Sequence, residues 1–549
     1  MAPERRNCHG HPRTHLCSTS TSTELERPSS NERGVPAPTR VQTWQALRPG
    51  CDVLVIGGGI TGAGVALDAA VRGYSVALVD RGDFAGGTSS RSTKLVHGGL
   101  RYLPQWQFGL VREALLERER LRRLAPGLVK TLGFVVPLYA DTRWPLGIRI
   151  PAALRPFAPF ALRAGLWGYD ALSRTDLAHR TLRPDDAVAR VPALRTEGMR
   201  TAFLYHDAQT DDVRLTHAVL AAARRSGAVT LNYAEVIGMD TRGPARATIT
   251  DRLDGGTIEV TARHVVNAAG VWAERVASLA GPVPFRIERS KGTHLVLDAP
   301  ALIRETALVI PETDDGRLAF AVPWRGRVIL GTTDEPSTED PDAVRATAGE
   351  ARYLLDHLNR YLNVRVGKNA VLSAYTGLRP LVRRTDARSA ALPRSHEVVE
   401  HPGALVSIIG GKLTTYRRMA EDTGDVLVRR DGRRTPSRTA TLPLDDTDEA
   451  IAALIAADPA LSHVLVPGLA VREADVVYAC RAEQCVHVAD FMIFRSHLAL
   501  LDREHGLGCV TGVAHLMARE LGWTADETTR QVDEYRRRVA AETAFLHEL

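Results

Sequence analysis

DVLVIGGGITGAGVALDAAVRGYSVALVD, residues 52–80, reads as a strand, a glycine turn, a helix of small and apolar residues, and a second strand ending on an acid. Val53 to Ile56 is a short apolar run of the kind a parallel sheet buries on both faces. Gly57, Gly59 and Gly62 fall at G-x-G-x-x-G spacing between the two strands, with Gly58 and Thr61 inside the turn. The glycines allow a tight turn, close approach of a pyrophosphate to backbone N–H groups, and close helix-to-strand packing. The helix N-terminus adds unsatisfied N–H groups that favour the anion. Asp80, after the second strand, stands where a carboxylate accepts from ribose hydroxyls. The unit predicts a dinucleotide site and leaves open whether the ligand is NAD or FAD.

Around this unit the chain of 549 residues divides by composition. Residues 1–48 are rich in Ser, Thr, Pro, Arg and His without apolar periodicity and read as a disordered tail. Its CHGHPRTHLC (8–17) offers zinc-type ligands but no two-pair spacing, so no metal site is assigned. Residues 49–440 read as a discontinuous dinucleotide-binding core. In it GFVVPLY, HVVNAAG, THLVLD, LAFAVPW, RVILGTTD and ALVSIIGG resemble strands, which fits a dinucleotide core interrupted by a mixed-sheet substrate domain. Residues 441–549 turn to helical periodicity, each segment opening near an Asp, Glu or Thr, and read as a C-terminal helical domain.

Six cysteines in so long a chain make no disulfide framework, and no apolar run is long enough to span a membrane. The cytoplasmic side is therefore the expectation, with any membrane association peripheral. A formal charge of +6 favours acidic ligands, and nothing specific supports nucleic acid. Only five of the 70 Lys and Arg residues are lysines. Three of them, Lys94, Lys291 and Lys412, sit in glycine-containing motifs, where a compact ammonium differs from a guanidinium fork.

After the dinucleotide unit comes GTSSRSTKLVHGGLRYL (87–103), too polar for a core strand and too glycine-rich for a stable helix. Together with the opening GGGITGAG, this stretch resembles the FAD-dependent glycerol-3-phosphate dehydrogenase family. The resemblance continues through FGLVREALLERERLRRLAPGLV, HDAQTDDVRLTHAVL, VVNAAGVWAERV, RSKGTHLVL, AFAVPWRGRVILGTTDE, YTGLRPL and IIGGKLTTYRRMAE. It ends in RAEQCVHVADFMIFRSHLAL, with an Arg-x-Glu and a later Arg. It implies an α/β fold: an FAD-binding Rossmann-like domain of the glutathione-reductase/amino-acid-oxidase type, an inserted mixed-sheet substrate domain and a C-terminal helical domain. The cofactor implied is noncovalent FAD. Its expected contacts are Gly57, Gly58, Gly59, Thr61, Gly62, Asp80, Thr88, Ser89, Ser90, Lys94, Leu95, His97, Gly98, Ala269, Gly270, Gly411, Lys412, Leu413 and Thr414.

The activity implied is oxidation of sn-glycerol 3-phosphate to dihydroxyacetone phosphate, with electrons passed to a quinone at the cytoplasmic face of the membrane. A phosphorylated three-carbon substrate needs cationic forks and a proton acceptor beside its hydroxyl. Arg101, Tyr102, His294, Arg379, Arg394 and Lys412 are carried over for binding, with His294, Arg379 and Lys412 as the catalytic set. His294 is favoured for the proton because its ordinary pKa lies nearest neutral pH, while Lys412 or Arg379 stays open for that role. Alternatives are an oxidase using oxygen, an amino- or hydroxy-acid oxidoreductase, and a flavin-bound scaffold without turnover. WPLGIRIPAALRPFAPFALRAGLWGY (144–169) suits insertion of an apolar face at a lipid interface; packing against another domain and a homodimer stay open. Cys480, Cys485 and His487 read as helix packing rather than a metal site.

Overall fold

The computed structural model describes residues 39–143, 151–173, 177–384, 396–445 and 447–549. Eighteen strands among them, numbered in chain order, form two sheets. The first runs β17 (His396–Glu400), β18 (Leu405–Gly410), β10 (Thr257–Asn267), β1 (Cys51–Ile56), β2 (Val76–Val79), β7 (Val229–Leu231), with β9 (Ala245–Asp251) paired to β10 and β8 (Ala234–Asp240) to β9. Its centre is parallel: Val55 stands beside Leu78 on one side and Val266 on the other. Val53, Leu54 and Val55 are fully buried, which is why the sequence there is unbroken apolar rather than alternating. The helix Ile60–Val71 follows β1 with almost every residue buried, so only small side chains fit along it.

The second sheet runs β15 (Glu335–Pro336), β11 (Phe285–Leu297), β14 (Arg327–Gly331), β13 (Ala319–Trp324), β12 (Thr306–Ile310), β4 (Val129–Tyr139), β6 (Met199–Thr210), β3 (Leu95–Val96). In it β16 (Val371–Arg384) pairs with β11 and β5 (Arg180–Leu182) with β6. All its pairings are antiparallel except β12 with β4. The six strand-like segments of the sequence fall on β4, β10, β11, β13, β14 and β18. Beyond β18 come the helices Asp448–Ala457, Glu473–Glu483, Val510–Leu521 and Ala525–Thr543, with a π-helical turn Asp490–Arg495 between the second and third. Their core of Val488, Phe491, Phe494, Met517 and Tyr535 also takes in Ala85 and Val213 from the nucleotide-binding part.

One boundary moves. Residues 39–48, assigned to the tail, are folded. Thr39 caps the helix Arg40–Gln45 with a reciprocal bond to Gln42, and Arg40 forks onto Asp251 at 2.8 and 3.1 Å. Leu47 is buried beneath them. Six residues are too short for a periodic signal, and the contacts that hold them lie two hundred residues away.

Candidate active site

Residues from both sheets line a cavity of about 820 Å³. One region of it is walled by Gly57, Gly59, Thr61 and Asp80, another by Tyr102, His294, Arg379 and Lys412. In the first region the ligand's place is set by missing side chains. A Cβ at Gly62 would lie 1.8 Å from the Gly57 carbonyl oxygen, and one at Gly59 would lie 2.9 Å from Ser89 Oγ. Gly57 has φ +112°, which a side chain would strain. Asp80 accepts from Gly58 N–H at 2.6 Å and Gly82 N–H at 2.8 Å, so the carboxylate also shapes the glycine turn. Burial pushes its carboxyl up to about 6 while those N–H groups pull it down. A cradle of this length, free of Cβ atoms at the turn and closed by Thr88, Ser89, Ala269 and Gly270, fits FAD.

The stretch 87–103 is pinned to the β6 strand and the helix Asp212–Arg225 that follows. Leu95 and Val96 pair with Gln209 and Ala208. Ser92 Oγ donates to Asp212 at 2.7 Å, and Lys94 Nζ donates to the same carboxylate at 2.5 Å and to Ser90 O at 2.8 Å. Gly98 N–H donates to Asp207 at 3.1 Å, an oxygen that Arg118 and Tyr169 also reach at 2.6 and 2.7 Å. Thr88, Ser89, Leu95 and His97 face the cavity.

Lys94 does not. Its φ of +61° turns the side chain away, and the ammonium is fully buried in its pair with Asp212, over the Trp324 and Tyr375 rings. Breaking such a pair leaves an uncompensated buried charge, at a cost of about 3–5 kcal/mol. Its scarcity among arginines reflects a space for one compact ammonium. Ser90, whose Oγ donates to Gly87 O, and Gly98 likewise stand behind the wall. Gly58 and Gly62 serve the turn through its packing. None of these five lines the cavity.

In the second region the side chains are held by their neighbours. His294 is 1% exposed, stacks on Tyr375 at 4.7 Å and has its Nε2 2.8 Å from Thr93 Oγ1; Nδ1 has no hydrogen-bond partner among the described residues. Burial, then Arg379 and Lys94, hold its pKa well below the usual value, so the ring is neutral. Arg379 donates to Thr332 Oγ1 at 2.9 Å and to Asp334 at 3.1 Å. Lys412 lies 4.0 Å from the centre of the Tyr102 ring. Thr414 Oγ1 accepts from His97 N–H at 3.1 Å, tying the turn Leu413–Thr415, which leads into the helix Tyr416–Arg430, to the 87–103 stretch.

Glycines on adjacent strands make room for these groups. A Cβ at Gly331, opposite His294 across β11 and β14, would lie 2.3 Å from the ring Cδ2. One at Gly292 would lie 2.4 Å from Arg379 Nη2, and one at Gly377 2.5 Å from Arg91 Cβ.

Arg394 lies outside the described residues, as does the side chain of Arg101. The cavity also takes in Thr93, Arg91, Asp207, Arg317 and Asp334, which sequence reading left without roles. Asp207 stands in HDAQTDD and Asp334 in GTTDE, and the acids of those segments are the signal the sequence offers for them. Of the proposed lipid-facing segment, 144–150 lies outside the described residues, and no described helix is long and apolar enough to cross a membrane. The helix Ala158–Ser173 buries Leu162, Leu166 and Tyr169 and exposes Phe160 at 76% and Trp167 at 65%, next to Phe157 at 65%. Cys485 is buried in the helical core.

A family model for FAD dependent oxidoreductases matches residues 52–417, and one for the C-terminal domain of alpha-glycerophosphate oxidase matches residues 446–528. The chain is 34% identical to glycerol-3-phosphate dehydrogenase 2 of Mycobacterium bovis, across 92% of this chain and 90% of that protein. It is also 34% identical to the glycerol-3-phosphate dehydrogenase of Mycobacterium leprae, across 92% and 94%. Among solved structures, the glycerol-3-phosphate dehydrogenase of Bacillus halodurans complexed with FAD superimposes with a TM-score of 0.73 at 28% identity, covering 92% of this chain and 98% of that one.

Proposed function

The chain belongs to the family of FAD-dependent glycerol-3-phosphate dehydrogenases, and from that premise we propose that it oxidises sn-glycerol 3-phosphate at C2 to dihydroxyacetone phosphate, with electrons passed on to a quinone. The observation that supports this most is the placement of two cations, Arg379 and Lys412, with a buried neutral histidine in the cavity that also holds the dinucleotide cradle. Bound FAD supplies the two-electron acceptor for hydride leaving C2.

The chain's own residues bind, orient and move the proton. Arg379 offers its fork to the substrate phosphate and Lys412 a point charge. His294 takes the C2 hydroxyl proton, and the contact of its Nε2 with Thr93 Oγ1 orients the ring. Tyr375 holds the ring plane. Burial is the main cause of the low His294 pKa, with Arg379 and Lys94 adding to it; a bound phosphate dianion offsets the cations' share and favours the imidazolium. Val309, Leu318 and Phe320 line the same cavity and keep its dielectric low, which strengthens each of these charge interactions.

Phe157, Phe160 and Trp167 form an exposed aromatic face with Arg163 between the last two. We assign it to peripheral contact with the cytoplasmic leaflet, aromatic rings entering the headgroup layer and arginine meeting lipid phosphate. That contact brings the enzyme to the phase in which a quinone dissolves.

The test is anaerobic addition of glycerol 3-phosphate to the purified yellow protein. Bleaching of the flavin, followed by faster reoxidation by a soluble quinone than by air, is the expected result. No bleaching, with bleaching by an amino or hydroxy acid instead, overturns the substrate; faster reoxidation by oxygen overturns the acceptor.

A further inference from the structure

We infer that the C-terminal helical segment is a brace for the cofactor's diphosphate-binding loop, and that Arg495 is its positioning residue. The inference rests on FAD as the cofactor and is independent of the substrate.

The residues between β2 and the 87–103 stretch form a short loop, Asp83 to Gly87, that lies against the glycine turn. Ala85 N–H donates to the Gly58 carbonyl at 3.1 Å, and Gly86 N–H to the Asp83 carbonyl at 3.1 Å. Asp83, Gly86 and Gly87 line the cavity beside Gly57, Gly59, Thr88 and Ser89. Phe84 is buried, and Gly86 and Gly87 leave the loop backbone bare at the cavity, where a pyrophosphate can approach it. Left alone it would not hold its shape, because Ala85 has φ +60°, a left-handed conformation that costs a non-glycine residue about 1 kcal/mol or more.

The restraint comes from four hundred residues away. Arg495, at the end of the π-helical turn Asp490–Arg495, donates from Nη1 and Nη2 to the two oxygens of Asp83 at 2.6 and 2.9 Å. Its Nη2 also donates to Glu483 O at 3.2 Å, and its Nε lies 3.1 Å from the Glu483 carboxylate. Glu483 is held in turn by the Arg214 fork at 2.7 and 3.1 Å. Asn232 Nδ2 spans Asp83 and the Gln484 carbonyl at 3.1 and 2.8 Å, and Tyr233 OH donates to Asp490 at 2.6 Å. Ala85 itself is buried in the helical core with Phe491 and Phe494. A Cβ at Gly86 would lie 4.0 Å from Phe494 Cζ, so a side chain there would come against that ring.

The segment also supplies wall: Asp490, Phe494 and Arg538 line the cavity. Glu483, the acid of the C-terminal motif, thus holds Arg495, its later arginine, on the loop carboxylate of Asp83. A bidentate charge-assisted fork fixes direction as well as distance, which a lysine at the same place cannot do.

The test uses the full-length holoenzyme with Arg495→Lys, Arg495→Gln and Phe494→Leu. FAD release is followed by recovery of flavin fluorescence after dilution, and rebinding by titration of the apoprotein. Release is expected to rise about tenfold or more in Arg495→Gln and less in Arg495→Lys and Phe494→Leu. The KM for glycerol 3-phosphate stays within about twofold of wild type, and kcat returns to the wild-type value at saturating FAD. Because FAD binding also stabilises the folded state, thermal unfolding of the apoprotein is measured as well: an apoprotein melting with the wild type separates a loosened cofactor loop from general instability. Unchanged FAD release in a folded variant, or a raised KM with FAD retained, overturns the inference. If both Arg495 variants fail to accumulate, unchanged release in Phe494→Leu overturns it alone. A wild-type protein that binds no FAD would instead overturn the cofactor.

Discussion

Glycine does opposite work in the two regions of the cavity. In the dinucleotide cradle Gly57, Gly59 and Gly62 leave space so that a ligand can approach the backbone and the turn can close on itself. Around His294 and Arg379, Gly331 and Gly292 leave space that the protein's own side chains fill. The first region is therefore shaped by absence and held by backbone hydrogen bonds. The second is a set of charged and ring side chains locked by stacking and forks on a bare sheet. Damage to the first should be read in cofactor affinity, and damage to the second in turnover.

The largest separation is expected from His294→Asn. With the proton acceptor gone and the ring space refilled by a smaller polar group, kcat falls by ~10²–10⁴-fold while flavin content at purification is unchanged. Loss of flavin with no further loss of turnover per flavin would break the division. The pH profile sharpens it. Because burial, Arg379 and Lys94 lower the pKa of His294, the acid limb of kcat/KM, which reports the free enzyme, lies below pH 6.5. The limb of kcat moves to higher pH, since bound phosphate dianion favours the imidazolium. Coincident limbs at 6.5 would remove His294 from the role.

Two alanine substitutions of the same chemistry then set the regions against each other. In Gly331→Ala the new methyl falls 2.3 Å from the His294 Cδ2, and Tyr375 blocks retreat. A displacement near 1 Å costs ~10²-fold in kcat with FAD retained. In Gly62→Ala the methyl meets the Gly57 carbonyl at 1.8 Å, and the turn must open. Overpacking of about 3 kcal/mol, ~10²-fold, appears in FAD affinity measured by titration of the apoprotein, and kcat at saturating FAD stays near wild type.

What the sequence made legible follows the same line. The cradle was readable because its chemistry is local: strand, glycines, helix and acid stand within residues 52–80. His294, Arg379 and Lys412 were found through the family resemblance, and they do meet on one cavity. Lys94 was misplaced because nothing near it shows that Asp212, over a hundred residues on, would bury its ammonium. Thr93 and Asp207 carry no role in the sequence for the same reason: each acts through partners distant along the chain, His294 for the one and Gly98, Arg118 and Tyr169 for the other. β16, the long partner of β11, was overlooked because its YTGLRPLVRR half is rich in Gly, Pro and Arg. Of these, Gly377, Arg379 and Pro380 line the cavity, so a functional demand overrides strand composition.

The smallest energetic effect extends the comparison to the outside of the fold. The helix Ala158–Ser173 turns Tyr169 inward, where its hydroxyl reaches Asp207 beside Gly98, and turns Phe160 and Trp167 outward. Residues seven apart share a helical face, so replacing both outer rings by Asp removes one continuous apolar strip and touches nothing inside. Thermal unfolding should shift by no more than about 0.5 kcal/mol equivalent for each exposed substitution, with soluble-quinone turnover and flavin content unchanged. Cosedimentation with anionic liposomes should be lost, because aspartates meet lipid phosphates where rings had entered the interface. Unchanged liposome binding would locate the membrane contact elsewhere; a fall in soluble-quinone turnover would mean that the two faces of this helix are coupled, and that the substrate region is not as rigid as its forks and stacks make it.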